Sequence, residues 1–246
     1  MHYLYCIAIS FICLLFYQCS TYKISDMQYE SYRIVDSLDR DSTALLLINN
    51  YKSELDSEME EKLVYNKTDM YKRLPESELG NFMADVCLER TKKELGINID
   101  LAILNYGGIR LRSISKGWIK KAQIFELMPF DNFIVAQNIR GDTLKMLLDQ
   151  IAAYGGWPIS GAAFQIKNAQ ADSIFINGLP IDAEHHYTIS TSDYLANGGD
   201  KMHLLAEIKQ IQTGILLRDA LIDYCENVNA SGDSLYFETK GRITKR

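Results

Sequence analysis

Positive charge is in deficit in this sequence. Its 26 Lys and Arg stand against 32 Asp and Glu, giving a formal net charge of -6. A protein that holds long nucleic acid by its phosphates needs a basic surface, so DNA and RNA are excluded as partners. A small anion held by a few arginines stays open. Histidine is scarce as well, with 4 in the chain. His185 and His186 adjoin Glu184 just before a strand, where neighbouring side chains point to opposite faces and do not share a metal. His203 stands alone and reads as a surface residue. No Ser/His/Asp or Cys/His nucleophile pattern is present, and the 5 cysteines have no metal-ligand spacing. The chain is also free of internal repeats and low-complexity blocks.

No apolar run reaches the roughly 20 residues of a membrane-spanning helix. The longest, Tyr3 to Tyr17, is read as part of an export signal covering residues 1–19. Cys19 falls where bacterial lipoprotein signals are cut, and lipid there would tether the mature chain to a membrane surface. A plain signal peptide or a short anchor is the alternative, because Phe16-Tyr17-Gln18 is bulky and no Lys or Arg precedes the apolar run. Residues 20–31 read as a tether and 32–246 as one domain. Cys87 and Cys225 could pair in an oxidising compartment, but both lie on apolar faces of predicted helices, which favours buried free thiols.

With 47% hydrophobic and 24% charged residues in 246, the composition is that of a globular protein with a real core. Tyr32 to Leu38 reads as a strand. Asp41 or Ser42 can cap a helix to about Leu55, and Met59 to Tyr65 alternates like an edge strand. Ser77 opens a helix whose Leu79, Phe82, Met83, Val86, Cys87 and Arg90 share one stripe, with Gly96 as its stop. Ile99 to Leu104 is a near-continuous apolar strand of the kind buried on both faces. A short helix over Ala122 to Leu127 and a strand over Phe133 to Ile139 follow, and Asp142 is expected to cap an amphipathic helix ended by Gly155, Gly156 and Pro158. Strands are expected at Ala163 to Ile166, Ser173 to Ile176 and Tyr187 to Leu195, with Asn177-Gly178 as a turn. A helix over Gly214 to Tyr224 and a strand near Leu235 to Thr239 close the chain. Helices and strands mix without strict βαβ alternation, which gives an α+β fold of mixed α/β layers, helices packed on mixed sheets.

Several short segments then stand out. Asn105-Tyr106-Gly107-Gly108-Ile109-Arg110 follows the buried strand directly. Its glycines let backbone approach a ligand or take φ > 0, and its arginine offers a rigid fork of donors, which together suggest an anion pocket. Singly, each segment has a plainer reading: Asn197-Gly198-Gly199-Asp200 as a turn, Phe130 and Tyr194 as core, Arg73 as a solvated charge. Their joint order changes this. Glu76-Ser77-Glu78-Leu79-Gly80-Asn81, Asn105 to Arg110, Pro129-Phe130-Asp131-Asn132 and Tyr194 to Asp200 resemble, in order and spacing, the C-terminal domain of the 5'-nucleotidases. UDP-sugar hydrolases and 2',3'-cyclic-nucleotide phosphodiesterases belong to the same family. The resemblance runs from about Tyr32 to Gly241-Arg242-Ile243.

That resemblance implies a substrate-recognition domain. Phe130 and Tyr194 match the two rings that clamp the nucleobase, and Asn105 and Asn132 match positions that hold the base or its loop. Asp200 matches the acid that receives ribose hydroxyls, while Arg73 and Arg110 match arginines at the phosphate end. Gly107 and Gly108 admit the ligand. Three positions depart from the pattern: Tyr194 replaces a common Phe, Tyr106 a third glycine, and Lys201-Met202 a glycine and an aromatic. The family's metallophosphatase domain uses Asp-x-His, Gly-Asn-His and Gly-His-x-His segments, and none occurs in this sequence. The expectation is therefore an exported, periplasmic or cell-surface, lipid-anchored nucleotide-binding half with no cofactor of its own. A separately encoded metallophosphatase would carry the divalent metals. A stand-alone nucleoside- or nucleotide-binding lipoprotein and a remnant that binds nothing are the alternatives.

Overall fold

The computed structural model describes residues 28–30 and 41–246. The export signal, Cys19, most of the tether and the strand expected over Tyr32 to Leu38 lie outside them. By contacts the chain divides into two compact units, residues 1–47 and 48–246, and every candidate site residue except Cys19 falls in the second. Helix α1, Ser42–Met59, starts where the Asp41 carboxylate accepts from the Thr43 and Ala44 amides. Among the described residues no helix is long and apolar enough to cross a membrane.

Strands β1 (Lys62–Asn66) and β2 (Met70–Tyr71) precede helix α2, Glu78–Leu95. The Ser77 hydroxyl caps α2 by accepting from the Gly80 amide, and Gly96 ends it at φ 62. Then come β3 (Leu101–Ile103), β4 (Ser113–Ile114), β5 (Gly117–Lys120) and helix α3, Lys121–Leu127. Strand β6 (Phe133–Arg140) leads into α4, Gly141–Ala153. Here Asp142 is not the cap: it sits inside the first turn, where its carboxylate accepts from the Thr143 amide and suits the positive helix end. Four strands follow, β7 (Ile159–Ser160), β8 (Ala162–Lys167), β9 (Gln170–Ile176) and β10 (Leu179–Pro180), with Asn177 and Gly178 at φ 50 and 81 making the expected hairpin turn.

Strand β11 (His186–Ser192) is shorter than the sequence suggested, because the Ser192 hydroxyl accepts from the Leu195 amide and starts helix α5, Asp193–Ala196. Tyr194 is therefore on a helix. After α6 (His203–Ala206), residues Gln210–Leu216 form a further strand, β12, so the helix expected from Gly214 begins only at Leu217, as α7, Leu217–Ala230. At the end of the chain Leu235 makes a single bridge to Asn66 instead of a strand, and Ile243–Lys245 form β13.

The main sheet has five strands in the order β12-β6-β11-β3-β7. Strand β11 pairs parallel with β3 and antiparallel with β6. Alternate residues of β3 feed different cores: Ala102 packs with Phe82, Val86, Leu217 and Leu221 from α2 and α7, and Leu101 and Ile103 pack with Leu144, Leu147 and Ile151 of α4. A second sheet, β10-β9-β8-β13, closes the latter side. The family of layers is thus the mixed α/β arrangement expected, with β3 buried on both faces.

Cys87 and Cys225 are free and buried. Burial pushes both thiols up to about 12, far from the thiolate that reacts. Ellman's reagent at pH 8 should therefore leave both unmodified in the folded protein and titrate both in denaturant, and a fast native reaction at either would contradict the packing.

Candidate functional site

Three chain segments meet at one rim of the main sheet. The C-terminal end of β3 delivers Asn105 and the 3₁₀ turn Tyr106–Gly108, the C-terminal end of β11 delivers α5, and the antiparallel β6 begins there, after Pro129 to Asn132. They border a cleft of about 260 Å³ lined by Asn105, Gly107, Gly108, Arg110, Phe130, Asn132, Tyr194 and Asp200. Every binding residue proposed from sequence is there except Arg73. Phe130 and Tyr194 are 40% and 43% exposed. Neither ring is core, so both have free apolar face to offer a ligand.

Asp200 is the polar centre. Its Oδ1 accepts from the Tyr194 hydroxyl at 2.9 Å and its Oδ2 from Asn105 Nδ2 at 2.7 Å. The Tyr194 oxygen in turn accepts from the Asp200 amide at 3.2 Å. The hydrogen bond to Asp200 is the main reason the Tyr194 phenol titrates above its usual value.

The glycines serve space, not left-handed backbone. Gly107 and Gly108 both lack positive φ, so that part of the sequence argument does not apply. A Cβ on Gly108 would come within 2.7 Å of Asn105 Oδ1, and one on Gly199 within 2.6 Å of the Tyr194 ring and 2.5 Å of its carbonyl. Tyr194 can fold over the turn only because position 199 has no side chain.

At the other end of the cleft Arg110 is exposed, its guanidinium 5.7 Å from the Phe130 ring centroid. Among the described ion pairs it has no carboxylate partner. Lys72, which sequence reasoning missed, does not line the cleft but braces its loop: its ammonium donates to the Ile109 carbonyl at 2.7 Å and lies 4.1 Å over the Tyr106 ring. Burial, then repulsion by Arg110, lowers its pKa. Arg73 is elsewhere, donating to Glu78 at 3.1 Å and lying over Tyr71. Lys72 and Arg73 follow strand β2 outside any regular element, and no motif in the sequence marked Lys72.

Tyr154 was missed as well. It stacks on Trp157 at 5.5 Å and 4° and lines, with Tyr106, Gly107, Trp157, Asp200 and Lys201, an adjoining cleft. His185 packs edge-on against Tyr187, and His186 and His203 are exposed. Among the described residues no three of His, Cys, Asp and Glu converge on a metal position.

Residues 58–207 match the family model for the 5'-nucleotidase, C-terminal domain. The trifunctional nucleotide phosphoesterase YfkN of Bacillus subtilis is 27% identical over 186 residues, 65% of this chain and 12% of that protein. UshA of Yersinia enterocolitica is 26% identical over 152 residues, 58% of this chain and 27% of that protein. This chain therefore spans only a minor part of both curated relatives. Among solved structures, a 5'-nucleotidase precursor from Thermus thermophilus superposes with a TM-score of 0.70 at 25% identity, over 82% of this chain and 43% of that one.

Two glycine substitutions separate space from conformation. Gly199→Ala should cost about 1–3 kcal/mol, the usual range for overpacking, and displace the Tyr194 ring. Gly107→Ala, whose Cβ would meet nothing nearer than 3.6 Å, should stay within about 0.5 kcal/mol of wild type. Equilibrium urea unfolding of the two variants measures the difference.

Proposed function

This chain belongs to the 5'-nucleotidase C-terminal domain family, and from that premise we propose that it is the nucleotide-recognition half of a 5'-nucleotidase-type phosphoester hydrolase. The observation that carries the reading is one cleft holding two half-exposed rings, a hydrogen-bonded acid and an arginine with no carboxylate partner among the described ion pairs. A base lies between Phe130 and Tyr194, the ribose hydroxyls on Asp200, and the phosphate toward Arg110 and Lys72. Stacking contributes roughly 1–3 kcal/mol per base, and charge-assisted hydrogen bonds about 1.5–3 kcal/mol each. Against these stands the cost of immobilising the ligand. Affinity for the isolated chain falls between micromolar and millimolar, about 4–8 kcal/mol.

Hydrolysis of a phosphate ester needs an activated water, which two metals supply in a metallophosphatase site. The sequence has no segment of that type and the described residues no such cluster. In this reading a separate metallophosphatase chain brings the divalent metals, and this chain brings no cofactor. The apolar N-terminal run and Cys19 support export and a lipid anchor at a periplasmic or cell surface. The same binding cleft also suits a stand-alone nucleotide-binding lipoprotein; recovery of a phosphatase with the chain from its native host favours the first reading.

Calorimetry with adenine, adenosine and AMP tests the assignment. Phe130→Ala should weaken all three by roughly tenfold or more, the loss of one stacking face. Arg110→Ala should weaken AMP by about tenfold and leave adenosine unchanged; equal losses would refute the phosphate role. The lowered pKa of Lys72 fixes the sign of a pH effect. As pH rises through that value the ammonium loses its charge, so AMP affinity should fall below the ordinary lysine range, and adenosine affinity should stay flat. The isolated chain with divalent metal should not hydrolyse AMP, and robust turnover would overturn the division of labour.

A further inference from the structure

We propose that the cleft adjoining the nucleotide cleft is a second subsite, which takes the base of a nucleotide linked through the 3' oxygen of the bound ribose. The domain then recognises a dinucleotide. The inference rests on the reading of the first cleft as a nucleotide site. The second cleft, of about 360 Å³, is lined by Tyr106, Gly107, Tyr154, Trp157, Asp200 and Lys201. It shares Gly107 and Asp200 with the first, and neither Phe130 nor Arg110 lines it. The two shared residues are neighbours: a Cβ on Gly107 would lie 3.9 Å from Asp200 Oδ2. A ligand that spans both clefts therefore crosses at Asp200. In the proposed reading the ribose lies there, so the second group is carried on the sugar and not on the 5' phosphate. The ring-bearing group that nucleotide chemistry attaches at that place is the next nucleotide of a chain.

What the second cleft offers is a flat ring already held in place. Tyr154 ends helix α4, and Gly155 and Gly156, at φ 90 and 109, turn the chain so that Trp157 meets it. Position 156 admits no side chain, since a Cβ there would come within 2.4 Å of the Pro75 carbonyl. The Tyr154 and Trp157 rings lie within 4° of parallel with centroids 5.5 Å apart. Trp157 is buried at 6% exposure and packs in the core, which fixes the plane of the stack, while Tyr154 keeps 42% exposure and lines the cleft. A ring held from one side and open to a cleft is a stacking platform, and it accepts any base because each has a π face. The Tyr154 hydroxyl donates to the Asp200 carbonyl at 3.4 Å, which ties the platform to the turn where the clefts meet. A 3' link brings one phosphate with it. Lys201 lines the same cleft next to Asp200, and among the described ion pairs it has no carboxylate partner, so a cation is at hand for that phosphate. The acidic net charge that excludes long nucleic acid does not oppose a ligand with two phosphates, which a few cations can hold.

Calorimetry on the full chain with AMP and the 3'-linked dinucleotide pApA tests the subsite. The wild type should bind pApA about tenfold more tightly than AMP, the worth of one added stacking face. In Tyr154→Leu, which keeps apolar bulk beside Trp157, that ratio should fall to within about twofold of unity. Tyr154→Phe keeps the ring and should keep the preference; its loss there would mean that the hydroxyl acts through Asp200, which overturns the platform. A purely structural role for Tyr154 would weaken both ligands alike and leave the ratio unchanged in Tyr154→Leu, which also overturns it. Diadenosine 5',5'-diphosphate carries its second adenosine at the phosphate end, so Tyr154→Leu should weaken it no more than AMP. A larger loss for that ligand than for pApA would overturn the assignment to the ribose side. A wild type that binds AMP and pApA equally refutes the second subsite and spares the nucleotide reading, whereas one that binds neither defeats both.

Discussion

The position of β11 governs the rest of the molecule. It lies between β3, with which it runs parallel, and β6, with which it runs antiparallel, in the register Ile189 to Leu101 and Ser192 to Ile134. With those directions, the chain leaving β3, the chain leaving β11 and the chain entering β6 must emerge at one rim. Asn105, Phe130, Tyr194 and Asp200 are far apart in sequence, and a single pattern of backbone hydrogen bonds brings them together. Ladder bonds are short and cooperative, so the relative placement of the three loops is as rigid as the sheet. The Thr191 hydroxyl adds a bond to the Ile103 carbonyl at 2.8 Å, tying the ends of β11 and β3 just below the cleft.

That sheet can be rigid because both its faces are buried. Helices α2 and α7 cover one side and α4 with the second sheet the other. The C-terminal segment locks the layers: Arg242 makes a two-pronged pair with Asp85 at 2.7 and 2.8 Å and donates to the Ile159 carbonyl, and the Glu76 carboxylate accepts from the Lys240 and Arg242 amides. Ser160 also donates to Asp85, at 2.6 Å. Glu76 lies within the span that matches the nucleotidase C-terminal domain, and Arg242 lies beyond it. Their bonds tie α2 and β7 to the C-terminal segment.

How much of this was legible follows from how local each signal is. Helix α2 was plain because its cap, stripe and stop all lie within its own residues. The buried strand β3 was plain because both faces are apolar. Strand β12 was hidden because it lies at the sheet edge with Ile211 and Gln212 exposed, so no alternation marks it. The short β2, β4 and β7 exist through partners distant in the chain, which no window of sequence contains. Tyr194 was assigned to a strand although Ser192-Asp193 carries a helix-start signal; the strand-forming Tyr187 to Thr191 before it dominated. At the site, position in ordered motifs identified the lining residues. Lys72 escaped notice because its contribution comes from what it leans on, Tyr106 and the Ile109 carbonyl, and not from a motif of its own. The Arg73 to Glu78 pair was invisible for a similar reason: it forms where a loop meets a helix start.

The distribution of charge in the cleft gives the arrangement its direction. The acid at one end is held by one donor on each carboxylate oxygen, Tyr194 and Asn105, and not by a cation among the described ion pairs. Neither Arg110 nor Lys72 has a carboxylate partner among the described ion pairs, and Lys72 has its pKa lowered by burial first and by Arg110 second. The ends differ in rigidity as well. Asp200 is pinned by bonds to its side chain, amide and carbonyl, whereas the Arg110 guanidinium is exposed and its one described hydrogen bond, to the Gly107 carbonyl, is long at 3.4 Å. In the proposed reading this asymmetry is functional: the sugar is held at a braced point, and the lightly tied guanidinium is the group that meets the phosphate.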